Sequence, residues 1–349
     1  MTHPQYVPLV ELTRGPLVES IHYGAAVVVD AHGKIIFQIG DPQAKVYLRS
    51  SSKPIQVLPF VEAGGIEKYN LTPKEVALMC SSHAGMDEHV KTVERIEAKV
   101  GFSEKDLMCG VHPPMHQPTM LRMEANQEAY TPNRHMCSGK HSGFLAYAML
   151  RGLSIKDYLN PEHPIQINIR NTFAELCDYP AEDVAIGIDG CSAPVFGVPL
   201  YNAAYAFARF CDPISLSLQR AAACHKITQA MMEYPEMVAG GGRFDTRLME
   251  TAKGKLIAKC GAEGYQVVGI PAGIVTAGSP GMALVMKVSD GDAVDRVAPL
   301  VSTYILSQLG VLTPQEMAKL PEFDRRPLYN WRKLPIGEIR PAFEFTRPD

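Results

Sequence analysis

The sequence predicts an α+β fold, with a largely antiparallel sheet built from both chain ends and a helical part inserted between them. Three observations carry this. Strand-like runs cluster within residues 17–39 and return within 267–288, the stretch between is patterned for helices, and the two kinds of element do not alternate as βαβα units would. The chain reads as one unit over 1–349, its sheet part roughly 10–64 and 236–310 and its helical part roughly 65–235.

Taken in order, Leu17 to Asp30 is rich in β-branched residues around Gly24, and Ile35 to Ile39 follows after Ala31-His32-Gly33-Lys34. That is a hairpin with a glycine-bearing turn, which makes the start antiparallel. Thr72-Pro73-Lys74-Glu75 reads as a capping box with proline at the first helical position, opening a short helix through Met79. Val90, Val93, Ile96 and Val100 share one face of a helix that stops at Gly101. Further helices are expected over Gly143 to Arg151, Ile165 to Cys177, Leu200 to Phe210, Ile214 to Met232 and Ala293 to Leu309. Late strands are expected over Val267 to Val275 and Met282 to Val288, separated by the turn cluster Ala277-Gly278-Ser279-Pro280-Gly281.

Composition limits the function classes. Hydrophobic residues make up 46% and charged residues 20%, enough apolar surface for a large core and against disorder. Lys and Arg number 34 against 37 Asp and Glu, for a formal net charge of −3. That is no footprint for nucleic acid or an anionic membrane, so the expected partner is a small molecule. No apolar run approaches the ~20 residues of a membrane span, and the N-terminal MTHPQYVPLVELTRG has no basic region followed by an apolar one. Eight cysteines stand without a single C-x-x-C pair among sixteen methionines, a pattern of reduced thiols. The expected location is cytoplasmic.

Arg49-Ser50-Ser51-Ser52-Lys53-Pro54 follows strand-like Val46-Tyr47-Leu48 and leads into a helix-competent segment. Ser50 and Lys53 are spaced for one face of a helical turn. A serine becomes a nucleophile at neutral pH only with a base, and a lysine serves only when burial or neighbouring positive potential depresses its pKa. A helix N-terminus supplies that potential and backbone N–H groups for an oxyanion. Alone, S-x-x-K is a weak signal and reads more readily as a serine-rich helix cap beside a solvated lysine. Two further signals converge with it: Ser81-Ser82-His83 at the end of an early helix, and Lys259-Cys260-Gly261 just before a late strand. The order S-x-x-K, serine triplet, K-x-G is that of serine acyl-transferases of the penicillin-binding type.

A third constellation is Cys137-Ser138-Gly139-Lys140-His141-Ser142-Gly143 with Asp189-Gly190-Cys191-Ser192. Two thiolates and a nitrogen donor would make a zinc site with an open position; the alternative is two buried cysteines acting as small hydrophobes. The G-x-x-x-x-G-K-[ST] spacing is absent, and no strand–helix unit frames Ala239-Gly240-Gly241-Gly242-Arg243, so nucleotide binding is excluded.

Together with Cys109-Gly110-Val111-His112-Pro113-Pro114, Gly241-Gly242-Arg243-Phe244-Asp245-Thr246 and Lys259-Cys260-Gly261-Ala262-Glu263-Gly264, these segments closely resemble the asparaginase II family, the thermolabile rhizobial-type L-asparaginases. The resemblance runs from about Arg14 to about Leu309, and the stretch from Thr313 carries no matching motif. It implies a fold related to serine β-lactamases, penicillin-binding proteins and glutaminases, and hydrolysis of L-asparagine to L-aspartate and ammonia. It implies two serine–lysine tandems, here Ser50–Lys53 and Ser82–Lys259, and zinc (Zn2+) on Cys137, Lys140 and Cys191, with Asp189 and Arg49 close by. It also implies a homodimer. Arg49, Asp189, His83 and Gly261 are the expected substrate-side residues.

The chain departs from the family pattern at His135-Met136, where asparagines are common, at Cys260, where K-T-G has threonine, and at Met86, where a polar residue is expected. The alternatives are a glutaminase or β-lactam-type acyl hydrolase on the same scaffold, and, from another class, a zinc- or redox-sensing protein with inert serines.

Overall fold

The computed structural model describes residues 4–346. One large antiparallel sheet runs in the order β10-β11-β1-β2-β9-β8-β7, with β3 paired to β2. Its strands are β1 (Val7–Arg14), β2 (Leu17–Asp30), β3 (Ile35–Ile39), β7 (Ile257–Gly261), β8 (Tyr265–Ile270), β9 (Met282–Val288), β10 (Arg326–Tyr329) and β11 (Pro335–Pro341). A smaller sheet, in the order β4-β6-β5, joins β4 (Lys45–Tyr47), β5 (Ala185–Ile188) and β6 (Pro194–Pro199). The α+β reading with an antiparallel sheet drawn from both chain ends therefore holds.

The centre of the sheet is where its sequence is most apolar. Ala25 to Val29 in β2 are fully buried, and β2 pairs with β9 from Gly24↔Val288 to Asp30↔Met282. A continuous apolar run rather than an alternating one means that both faces are covered. Helix Leu200–Cys211 packs on β2, β8 and β9, while helix Ala298–Gln308 packs on β8, β9 and β11. Each buried valine there contributes roughly 1.5–3 kcal/mol. The β2–β3 turn is closed by Asp30, whose Oδ1 accepts from the N–H groups of His32 and Lys34, both at 2.9 Å.

Several boundaries move for identifiable reasons. The strand expected to reach Val275 ends at Ile270, because Pro271 cannot donate to the ladder. The last long helix begins at Ala298 and not Ala293; Asp292 accepts from the N–H groups of Arg296, Val297 and Ala298 and fixes its start. The capping box at Thr72 forms as read, with Thr72 N–H donating to Glu75 Oε2 at 2.7 Å and Glu75 N–H to Thr72 Oγ1 at 3.4 Å. Beyond Thr313 the chain adds β10 and β11 to the sheet, with Val10↔Pro341 and Leu12↔Ile339 in register. The turn between them carries Trp331, the only tryptophan of the sequence, fully exposed.

Two glycines admit backbones that any side chain would push apart. A Cβ on Gly139 would stand 2.1 Å from the Leu78 carbonyl oxygen, and one on Gly261 would stand 2.4 Å from that of Leu48. The first lets helix Ser138–Leu150 dock its N-terminal turn on helix Pro73–Met79; the second lets β7 lie against the turn that carries Ser50.

Candidate active site

The S-x-x-K segment forms a 3-10 turn over Arg49–Ser52 that runs directly into helix Lys53–Glu62. Leu48 donates its N–H to Phe196 O at 3.0 Å, which ties the entry to the small sheet. Arg49 has a left-handed backbone (φ +52), a conformation that costs a non-glycine residue about 1 kcal/mol or more. Its guanidinium is held by Asp189, Nη2 to Oδ1 at 2.7 Å and Nε to the same oxygen at 2.9 Å. Ser51 Oγ donates to Lys259 O at 2.8 Å and Ser52 Oγ to Arg49 O at 2.9 Å, so these two serines serve the turn. Ser50 is half-buried, and its hydroxyl makes no hydrogen bond among the described residues.

Lys53 is fully buried. Its Nζ donates to Ser81 O (2.6 Å), Ser82 Oγ (2.9 Å) and Cys137 Sγ (3.2 Å). The close contact is thus Lys53 with Ser82, across the two expected tandems; Ser50 and Lys53 share the turn without a hydrogen bond between their side chains. Lys259 is also buried, and its Nζ donates to the Cys260 carbonyl at 2.8 Å and not to Ser82. Burial pulls the Lys53 pKa down, Lys259 and Lys140 push the same way, and Cys137 opposes them.

Cys137, Lys140 and Cys191 converge beside Lys53. Lys140 Nζ donates to Cys191 Sγ at 3.0 Å, and all three side chains are at least 96% buried. A hydrogen bond from Cys191 is the largest influence on Cys137; helped by Lys53 and Lys140, it overcomes burial and holds the thiol well below the ordinary cysteine range. Burial would lower Lys140, but Cys191 and Cys137 outweigh it and raise its pKa. Among the described residues no three His, Cys, Asp or Glu side chains cluster as a metal site. A metal here would take the lysine amine as its third donor. Two soft thiolates and an amine nitrogen fit tetrahedral zinc with one position open, provided Lys140 gives up the proton it now shares with Cys191.

Asp189 sits in the β5–β6 turn, its Oδ1 accepting also from Gly190 N–H at 2.9 Å. Burial would raise its pKa, but Lys140 and Arg49 prevail and lower it. His83 is fully buried behind the serine triplet. Its Nδ1 accepts from Gly85 N–H, so its proton is on Nε2, which donates to Ser138 Oγ at 2.8 Å. His83 therefore supports the helix that carries Lys140. His141 bonds Tyr158 through Nδ1 at 2.7 Å, and burial lowers its pKa to about 4; its Nε2 faces Cys191 outside hydrogen-bonding geometry.

Two functional supports carried no role in the sequence reading. Arg243 Nη1 donates to Ser82 O at 2.5 Å and its Nη2 reaches Cys260 Sγ at 3.7 Å. Asp245, fully buried, accepts from Cys260 N–H at 2.8 Å and from Gln266 Nε2 at 3.0 Å. The Gly-Gly-Arg-Phe-Asp-Thr segment thereby fastens the serine triplet to β7, and the available signal was an arginine and an acid bracketing an apolar residue after glycines. His135, a departure from the family pattern, also lies at the site. Its Nδ1 accepts from Cys137 N–H at 3.0 Å, its ring stands 4.3 Å from that of His112, and burial lowers its pKa to about 4.

A model of the L-asparaginase II family matches residues 10–341, which takes in β10 and β11. No curated protein matches the sequence. Among solved structures, the chain is similar to a probable glutaminase from Bacillus subtilis complexed with 6-diazo-5-oxo-L-norleucine, at 14% identity and TM-score 0.38 over 82% of this chain and 84% of that one. A second structure of a Bacillus subtilis probable glutaminase matches at 12% identity and TM-score 0.39, over 83% and 89%. A Bacillus glutaminase in 4.3 M NaCl matches at 11% and 0.39, over 82% and 91%.

Proposed function

The chain belongs to the L-asparaginase II family and is an amidohydrolase, and on that premise we propose that it hydrolyses L-asparagine to L-aspartate and ammonia through a serine acyl-enzyme. The observation that carries this reading is the buried Lys53, lowered in pKa and bonded to Ser82 Oγ at 2.9 Å, in the turn directly after half-exposed Ser50. Ser50 is the nucleophile, because substrate can reach its hydroxyl while Ser82 and both lysines are buried.

Ser50 Oγ attacks the side-chain amide carbon and gives up its proton to the Lys53–Ser82 pair. A neutral lysine amine has a lone pair, so the 2.9 Å contact can reverse, with Ser82 O–H donating to Nζ while Ser82 Oγ accepts the incoming proton. The developing oxyanion is held by backbone N–H groups of the turn and of β7 near Gly261, one such donor being worth about 2.7–4 kcal/mol of barrier. The proton then passes to the leaving nitrogen, ammonia departs, and water hydrolyses the Ser50 ester by the same route. Lys259 lends positive charge to this region and keeps Lys53 low. Cys137, Lys140 and Cys191 would hold a zinc ion, which would supply a Lewis acid for the substrate's α-carboxylate. Arg49 and Asp189 orient that end.

Ammonia release from L-asparagine and from L-glutamine, measured with purified protein in zinc-containing buffer, tests the proposal. Asparagine is expected to be the substrate. Release from glutamine alone would reassign the enzyme as a glutaminase, and release from neither would overturn the proposal.

A further inference from the structure

The chain's last strands enclose a second space. A cavity of about 890 Å³ lies between β10, β11, the end of helix Ala298–Gln308 and the short helix Pro314–Met317. That volume is within the range of small-molecule sites, and none of the residues lining it belongs to the reaction site described above. Tyr304, Met317 and Phe343 give it an apolar wall, with the two rings meeting edge to face at 5.4 Å, and Arg326 gives it a charge.

Successive residues of a strand point to opposite faces. In β10, Arg326 and Leu328 are half-buried while Pro327 and Tyr329 are exposed, so Arg326 is aimed at the covered side. Taking a guanidinium out of water is costly unless an anion meets it. The neighbouring arginines are met: Arg325 and Arg340 both pair with Glu338, and Arg340 also with Glu11. Arg326 has no ion pair among the described residues. The acids around it are engaged elsewhere, Glu322 by Arg247 Nε at 3.2 Å and Asp324 by the Arg325 N–H at 2.6 Å. Burial lowers the Arg326 pKa, and Arg296 pushes the same way. Its one hydrogen bond runs from Nη1 to Asp324 O at 3.3 Å. Nε and both Nη2 hydrogens remain, the side-on edge with which a guanidinium grips a carboxylate through two parallel bonds. Tyr304 supplies a further donor: its oxygen accepts from Phe345 N–H at 3.3 Å, and its own proton has no acceptor among the described residues.

One desolvated cation beside aromatic and thioether surface matches a molecule charged at one end and flat and apolar at the other. A guanidinium and a methionine sulfur both favour an aromatic ring. We propose that this cavity binds a small aromatic carboxylic acid, its carboxylate held side-on by Arg326 and its ring against Tyr304, Phe343 and Met317. The site does not rest on the proposed reaction, whose substrate and product have no apolar body to place there.

Calorimetric titration of the full chain with 2-naphthoate, and with 2-naphthylmethanol, which has the ring without the charge, tests this. One naphthoate per chain is expected, its affinity unchanged by saturating L-aspartate. Arg326→Met should weaken it about tenfold or more, the worth of hydrogen bonds to a charged group. Ala318 lines the cavity and is exposed, so Ala318→Trp narrows it from outside the core and should weaken binding too. The two variants alter different walls, so a misfolded one does not decide the result. Absence of saturable naphthoate binding, or equal binding in Arg326→Met, would overturn the proposal and leave Arg326 as an inward charge that guards an edge strand. Naphthylmethanol binding as tightly as naphthoate would overturn it as well, and displacement by L-aspartate would move the probe to the reaction site. The titration is read without turnover. A protein that releases no ammonia yet binds naphthoate through Arg326 refutes the reaction and keeps this site, and the converse separates them equally well.

Discussion

At the residue scale, three buried lysines share one cluster: Lys53 donates to the Ser81 carbonyl, Ser82 and Cys137, Lys140 to Cys191, and Lys259 to the Cys260 carbonyl. Ser50→Ala is expected to lower kcat on the order of 10⁴-fold or more, as loss of a serine nucleophile does. Ser82→Ala should retain a slow acylation; mass spectrometry of quenched reactions would then find the acyl group on Ser50 in Ser82→Ala and none in Ser50→Ala. An acyl-enzyme trapped in Ser50→Ala would overturn the assignment. The pH dependence follows from Lys53. Its pKa is lowered in the folded protein, so the amine is free over a window below the usual lysine value of 10.5, and kcat/KM should rise with pH through that lowered pKa. Lys259 pushes Lys53 down, so Lys259→Met should move the acidic limb of the profile to higher pH. Stability carries the same sign: between the lowered value and 10.5 the unfolded chain binds the extra proton, and stability increases with pH.

At the element scale, the site is placed by close backbone approaches. Gly139→Ala puts a methyl group against the Leu78 carbonyl, so the two helices must separate. The expected cost is about 1–3 kcal/mol, the range for overpacking. Thermal denaturation should show the lower Tm, and an accompanying fall in kcat would follow from displacement of Lys140, one residue on. Much of this layer was legible in the sequence. The hairpin at 17–39, the Thr72 capping box and the order of the three serine and lysine motifs are local signals, and the structure keeps them. The start of helix Ser138–Leu150 was not legible, because its first turn is Ser-Gly-Lys-His, without a helix-forming apolar pattern, and its position depends on Leu78. Nor was the Lys53–Ser82 contact. The two residues are 29 positions apart and meet only because helix Pro73–Met79 ends where the S-x-x-K turn begins to bury its lysine.

At the scale of the whole molecule, the chain's last strands complete a sheet begun by its first. β11 pairs with β1, Ile339 and Leu320 are fully buried, and Phe345 stacks on Phe37 at 4.6 Å. No motif announced this, since a strand that pairs with residues 330 positions away has only its own short pattern to show. Removing residues 313–349 takes away none of the proposed catalytic residues, yet it uncovers the edge of β1 and the core beside Phe37. The truncated protein is expected to melt at lower temperature and to bind apolar dyes, both readable on purified material. The turn closing this last hairpin brings the lone tryptophan wholly into solvent. Indole emission shifts to the red when water surrounds it, and here water already does so in the native state. Heating or denaturant will therefore leave the colour of the emission almost unchanged while the fold is lost, and unfolding must be followed by another signal. What does turn that emission blue is a surface that covers Trp331, which makes the protein its own optical reporter for any partner that lands on the hairpin.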